Sequence, residues 1–385
     1  MYRIFGTTAL LLATLTFVGC EPTATPSVDT STDLGTSTAD SSSSNTTATA
    51  QMPAANGEAP SATVAAGDGK VNTELQGKIE IDGSSTVFPI SEAAANQFGK
   101  RFPNVNVTVG VSGTGGGFKR FTKGETDISD ASRPIKGGEF DAAKASGVSF
   151  VEIPVAYDGL TIVVHKDNDW VDHLTVDEIK KIFNAEPAAK SWSAVRDGWP
   201  DKEIKIFAPG TDSGTFDYFM EVVAGKSGSL RSDMSTSEDD NVLVTGVSGS
   251  PSAIGFFGVA YYEENKDKLK AVPVVNPELG EPIAPTSETI ESGDYAPFSR
   301  PLFIYVNVKS LSRPEVKRFV TYYVENAPAM AQQTGYVALP ADVYQTALKN
   351  ARARKAGTHY LTAEGDKREG PVTKVFQASN LNTGK

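Results

Sequence analysis

Three times in this chain a short run of alternating apolar residues breaks into a turn of glycine and hydroxyl side chains and then into a helical pattern. The turns are Gly83-Ser84-Ser85-Thr86, Ser112-Gly113-Thr114-Gly115-Gly116-Gly117 and Gly210-Thr211-Asp212-Ser213-Gly214-Thr215. A helix start leaves backbone N–H groups without partners and carries partial positive charge, so three such starts gathered at one point would hold a small oxyanion. Serine and threonine at these positions also serve as N-caps, a plain structural role for which Ser84 is a candidate.

The segments around the turns alternate strand and helix. Ile79–Ile81 and Val105–Val111 read as strands, the second with Val105, Val107, Val109 and Val111 in period two. Pro89 to Phe102 reads as a helix with Ile90, Ala94 and Phe98 on one face. Phe150–Val155 and Leu160–His165 are expected as two strands leading out of a first lobe, and Ile204–Phe207 and Leu302–Val308 as two more. Capping boxes are expected at Thr175-Val176-Asp177-Glu178 and at Ser312-Arg313-Pro314-Glu315. This alternation predicts an α/β architecture with largely parallel sheets, whose ligands lie beyond the carboxyl ends of the strands, where all three turns fall.

A net charge of -11 argues against nucleic acid or an anionic membrane surface as partner, so attraction for an anion has to be local. Arg133 is the candidate cation, because it leaves a strand end beside Ser132, and Pro134 keeps it out of helical geometry. Asp212 is a candidate to orient it, and Asp130 to accept a proton from a protonated ligand. Catalytic patterns are poor. The three histidines, His165, His173 and His359, have no metal-ligand spacing, no Gly-x-Ser-x-Gly elbow occurs, and the second turn lacks the Lys-Ser/Thr ending of a phosphate-binding loop. No metal or cofactor is expected.

The single cysteine, Cys20, leaves no disulfide framework. It follows Arg3, an apolar stretch from Ala9 to Val18, and Gly19, the pattern of a signal segment too short to span a bilayer as a stable helix. Phe17-Val18-Gly19-Cys20 resembles the lipobox of bacterial lipoproteins, which implies residues 1–20 as a signal peptide with lipidation at Cys20. Residues 21–76, rich in Ser, Thr and Ala, are expected to form a disordered tether.

Together the motifs "IDGSSTVFPISEA", "VSGTGGGFKRFTKGETDISDASRPI", "GTDSGTFDYF", "IGFFGVAYYEEN" and "SRPLFIYVN" resemble the phosphate-binding proteins of bacterial ABC phosphate importers, over roughly Gly77 to Leu348. The resemblance implies the two-lobed type II periplasmic binding fold, each lobe a mainly parallel sheet flanked by helices, joined by a two-strand hinge. It divides the chain into lobe I (77–157 plus 297–370), lobe II (158–296) and a C-terminal tail (371–385). It implies phosphate binding by Ser85, Thr86, Ser112, Thr114, Ser132, Ser213, Gly214 and Thr215, delivery to ABC permease subunits, and a lipid-anchored monomer without enzymatic activity. Two positions depart from the family's best-known branch: Pro209 stands where that branch has arginine, and Ser132 where it has aspartate. Arg133 would then supply the cation and Asp130 the acceptor. The alternatives are a receptor for another oxyanion such as sulfate and, in a different class, a serine-dependent phosphoester hydrolase.

Overall fold

The computed structural model describes residues 71–384, apart from 212, 226 and 227. The signal segment, Cys20, the tether up to residue 70, and Asp212 lie outside the described residues. The first half of the chain runs β1 (Gly77–Gly83), α1 (Phe88–Arg101), β2 (Val105–Val111), α2 (Gly113–Phe121), β3 (Ile128–Ala131), α3 (Gly137–Ala145) and β4 (Phe150–His165). It continues through α4 (Val176–Phe183), β5 (Lys205–Pro209), α5 (Gly214–Val223), β6 (Ser235–Ser237), α6 (Asp240–Ser248), β7 (Ala253–Gly258), α7 (Val259–Glu264) and β8 (Leu269–Ala271). A small hairpin of β9 (Val274–Val275) and β10 (Pro282–Ile283) and helix α8 (Ser287–Ser292) precede β11 (Ser299–Asn307), α9 (Pro314–Gln333), α10 (Ala341–Arg352) and α11 (Val372–Val375).

The main sheet has the order β2-β1-β3-β11-β4-β7-β5-β6, with β8 also on β4. β1 runs parallel to β2 and β3, and β5 runs parallel to β6 and β7, so each lobe has its own parallel core. The antiparallel pairs of the main sheet all involve β4 or β11. Residues 150–159 of β4 pair with β11, and residues 160–164 of the same strand pair with β7. Where two strands were expected there is one of 16 residues, buried along nearly its whole length. Pro154 has no N–H to give the ladder, and a register shift between Leu302 and Phe303 absorbs the irregularity, so the strand continues through it.

Local chemistry accounts for the helix starts. At α4 the expected capping box forms, with the Glu178 amide donating to Thr175 Oγ1 at 3.2 Å and the Thr175 amide to Glu178 Oε2 at 2.9 Å. At α9 it does not. Pro314 opens that helix with Arg313 at the cap position, while the Ser312 hydroxyl donates back to the Lys309 carbonyl at 2.6 Å. Proline is at home there because the first helical N–H has no partner to lose. α1 likewise starts one residue earlier than expected, at Phe88, with Pro89 in its first turn.

The largest apolar core runs under both lobes and along the crossing strands. A second cluster lies beneath α2 and the loop after β3, joining Phe118, Phe121, Ile135, Phe150, Phe303 and Tyr305 to Tyr360, Leu361 and Val375 from the C-terminal segment. Residues beyond 370 are therefore packed onto the body, with Val372, Val375 and Phe376 buried and Asn382 bridged to Thr358. Among the described residues no helix is long and apolar enough to cross a membrane.

Candidate functional site

The first two turns are locked to each other at the carboxyl end of the lobe I sheet. The Ser84 amide donates to the Asp130 carbonyl at 3.0 Å, the Ser112 amide to the Gly83 carbonyl at 3.1 Å, and the Tyr336 hydroxyl to the Thr86 carbonyl at 2.7 Å. α2 presses onto the end of β1 so closely that a Cβ on Gly117 would lie 2.6 Å from the Gly83 Cα, which is why glycine stands there. Thr114, in the first turn of α2, joins Ser132 in the loop after β3: their hydroxyls are 3.0 Å apart, and Thr114 Oγ1 accepts from the Ser132 amide at 3.1 Å.

The third turn meets the first across the cleft. Ser213 caps α5 through the Thr215 amide at 3.2 Å, and Gly214 packs so tightly on the first turn that an added Cβ would sit 2.5 Å from the Thr86 Cα. The Ser85 hydroxyl donates to Asp217 Oδ2 at 2.7 Å, and that of Thr86 faces the Gly214 carbonyl at 3.3 Å. Between these elements lies a cavity of about 250 Å³. Lobe I lines it with Ser84, Ser85, Thr86, Gly113, Thr114, Gly115, Ser132 and Arg133; α5 adds Asp217, Tyr218 and Glu221; and Arg300 comes from the crossing strand β11.

Arg300 lines the cavity and is a candidate functional residue that the sequence pattern did not single out. It is paired with Asp158, its neighbour across the β4–β11 ladder, at 3.2 Å through Nε, and another guanidinium nitrogen donates to Thr86 Oγ1 at 3.0 Å. A third contact reaches Glu221 at 3.4 Å, and the guanidinium lies 3.6 Å over the Tyr218 ring. Tyr218 is itself fixed by donating to the Pro297 carbonyl at 2.7 Å. Burial pushes the Asp158 carboxyl up, and the Arg300 charge pulls against that shift. A signal was present in the sequence: Ser299-Arg300-Pro301 repeats the tripeptide Ser132-Arg133-Pro134 at the head of a strand instead of its tail.

Several expected residues are placed differently. Arg133 lines the cavity, but its fork is taken by Glu139 at 2.9 and 2.7 Å, its plane lies 5.5 Å from the Phe118 ring, and it also donates to the Pro134 carbonyl. Glu139 accepts the Lys136 amide at the start of α3, which holds the carboxylate within reach of the arginine. Ser112 turns away from the cavity and donates to Asp82 at 2.9 Å, beside the Arg120–Asp82 ion pair. Asp130 does not reach the cavity at all. It lies fully buried behind the first turn with neither carboxylate oxygen hydrogen-bonded, and burial pushes its pKa up to about 8, against a partial pull from nearby Ser91. Ser213, Gly214 and Thr215 form the lobe contact and the start of α5 without lining the cavity themselves. Ser85, Thr86, Thr114 and Ser132 stand where the sequence puts them.

The sequence profile described as the PBP superfamily domain matches residues 54–327. The chain is 42% identical over 280 residues to the phosphate-binding protein PstS of Staphylococcus haemolyticus, covering 72% of this chain and 86% of that protein. It belongs to the phosphate-binding protein family of the PBP superfamily. It is also 50% identical over 282 residues to protein SphX of Synechococcus elongatus, covering 73% of this chain and 83% of the relative. Among solved structures, a possible phosphate binding protein from Planctomyces limnophilus superposes with a TM-score of 0.70 at 46% identity, covering 73% of this chain and 99% of that one. An ABC-type phosphate transport receptor from Vibrio cholerae matches at a TM-score of 0.53 and 25% identity, over 68% of this chain and all of its own. This phosphate-binding protein therefore has the two-lobed type II fold expected from its motifs, with β4 running from the β11 side of the sheet to the β7 side.

Proposed function

We propose that the chain is a receptor for inorganic phosphate that works outside the cytoplasmic membrane and hands its ligand to an ABC importer. The observation that carries this reading is the cavity between the lobes, in which Arg300 is held by Asp158 and Thr86 and shares the lining with Ser85, Thr114 and Ser132. A guanidinium with several hydroxyls and two helix starts fits a compact tetrahedral anion. Relatives named as phosphate-binding proteins support the same ligand. A micromolar complex needs about -8 kcal/mol, and charge-assisted hydrogen bonds contribute roughly 1.5 to 3 kcal/mol each, so a handful suffices after the cost of closure.

The finer features follow from this reading. The lobes divide as 77–157 with 297–370, and 158–296. The chain is a monomer, tethered through a lipid on Cys20 by residues 21–76. It binds its ligand without turnover. Calorimetry of the folded chain with phosphate and, separately, with sulfate tests the central claim. Heat with phosphate and none with sulfate is expected; no heat with phosphate overturns the reading, and equal heats replace it with a general oxyanion receptor.

A further inference from the structure

Beneath the cavity a line of buried polar groups joins the C-terminal segment to the loop that carries Ser132 and Arg133. Its centre is Glu152, inside the lobe I half of β4 and without solvent exposure. One carboxylate oxygen accepts the hydroxyls of Tyr305 at 2.9 Å and Thr358 at 2.6 Å, and the other accepts the His359 amide at 2.7 Å. The Tyr305 hydroxyl, having given its only proton to Glu152, accepts the amide of Ile135 at 2.9 Å. Ile135 is itself buried and follows Arg133 and Pro134 directly, so no water replaces that acceptor. The Tyr305 ring also packs edge-on against Phe118 at 4.9 Å, and Phe118 belongs to α2, which brings Gly113, Thr114 and Gly115 to the cavity.

We propose that Tyr305 is a positioning residue for the anion cradle: its hydroxyl, aimed by buried Glu152, seats the Ser132–Ile135 loop while its ring seats α2. Tyr305 touches no ligand. It is fully buried and does not line the cavity, and it acts through Ser132 and Thr114, whose hydroxyls are 3.0 Å apart and keep that spacing only while both elements rest on the same support. The inference rests on the phosphate reading above for its ligand.

Tyr305→Phe keeps the ring and removes the acceptor. Tyr360→Phe is the matched control, because Tyr360 shares the same core and its hydroxyl has no hydrogen-bond partner. Both variants of the full chain are measured for phosphate affinity by calorimetry and for amide exchange by mass spectrometry. Tyr305→Phe is expected to weaken phosphate binding by roughly 5- to 20-fold and to speed exchange in residues 132–136, while Tyr360→Phe changes neither. Wild-type affinity and exchange in Tyr305→Phe overturn the proposal, and so does an equal loss in Tyr360→Phe, which marks general softening of the core. Should Tyr305→Phe fail to fold, exchange at the Ile135 amide of the wild type decides: protection like that of the central strands supports the assignment, and rapid exchange overturns it. If the wild type gives no heat with phosphate, the receptor reading falls, and the exchange comparison still settles whether Tyr305 holds the loop.

Discussion

Arg300 and Arg133 face the same cavity inside the same tripeptide, yet their surroundings predict different weights. Arg300 is largely sheltered, stacked and aimed by Asp158, whereas Arg133 has its fork committed to Glu139. Replacing Arg300 with lysine keeps the charge but loses the planar fork and the stack, so phosphate affinity is expected to fall by about tenfold or more in calorimetry. Arg133→Ala is expected to cost several-fold less; the reverse order would return the leading role to Arg133. Asp130 gives a different signature. The folded chain keeps its proton up to about pH 8, while the unfolded chain releases it near the ordinary value of 3.8. Across that window the unfolded state binds fewer protons, so this group's contribution to stability, complete at low pH, is lost as pH rises toward 8. Asp130→Asn removes the loss, and its melting temperature is expected to exceed that of the wild type by a margin that grows by a few degrees between pH 5 and pH 8.

At the scale of elements, the contact between the start of α5 and the first turn leaves no room for a methyl group, because the nearest atoms on the other side belong to backbone. Gly214→Ala should therefore weaken phosphate binding by tenfold or more while changing the melting temperature by little, since the clash arises between lobes and not within one. A large fall in stability with unchanged affinity would contradict this. The three turns were legible in the sequence because strand, glycine turn and helix are neighbours along the chain, and each signal is local. Arg300 was not, for the opposite reason: its meaning comes from Asp158, 142 residues away, and from Tyr218 in the other lobe. Asp130 misled because alternation along a strand separates two faces without saying which one borders the cleft. The two expected strands at 150–165 merged because proline and glycine punctuate a sequence even where a bulge lets the ladder run on.

At the scale of the molecule, β4 belongs to both lobes without interruption, and the largest apolar core runs beneath both. Neither lobe is then expected to melt alone. Calorimetry should show one cooperative transition, and two resolved transitions would show that the lobes are energetically separate. Phosphate at a hundred times its dissociation constant should raise stability by about 2.7 kcal/mol through mass action, a shift of several degrees in that single transition. The place of Arg300 carries this further. It pairs with Asp158, next to the point where β4 leaves β11 and takes up β7 as its partner, so it would lie close to the axis about which the lobes turn. A charge on an axle has no lever arm: it stays beside its ligand as the cleft widens, while groups at the tip of α5 swing away. Capture would then begin on lobe I and Arg300 alone, with the arrival and departure of α5 setting how long the anion stays.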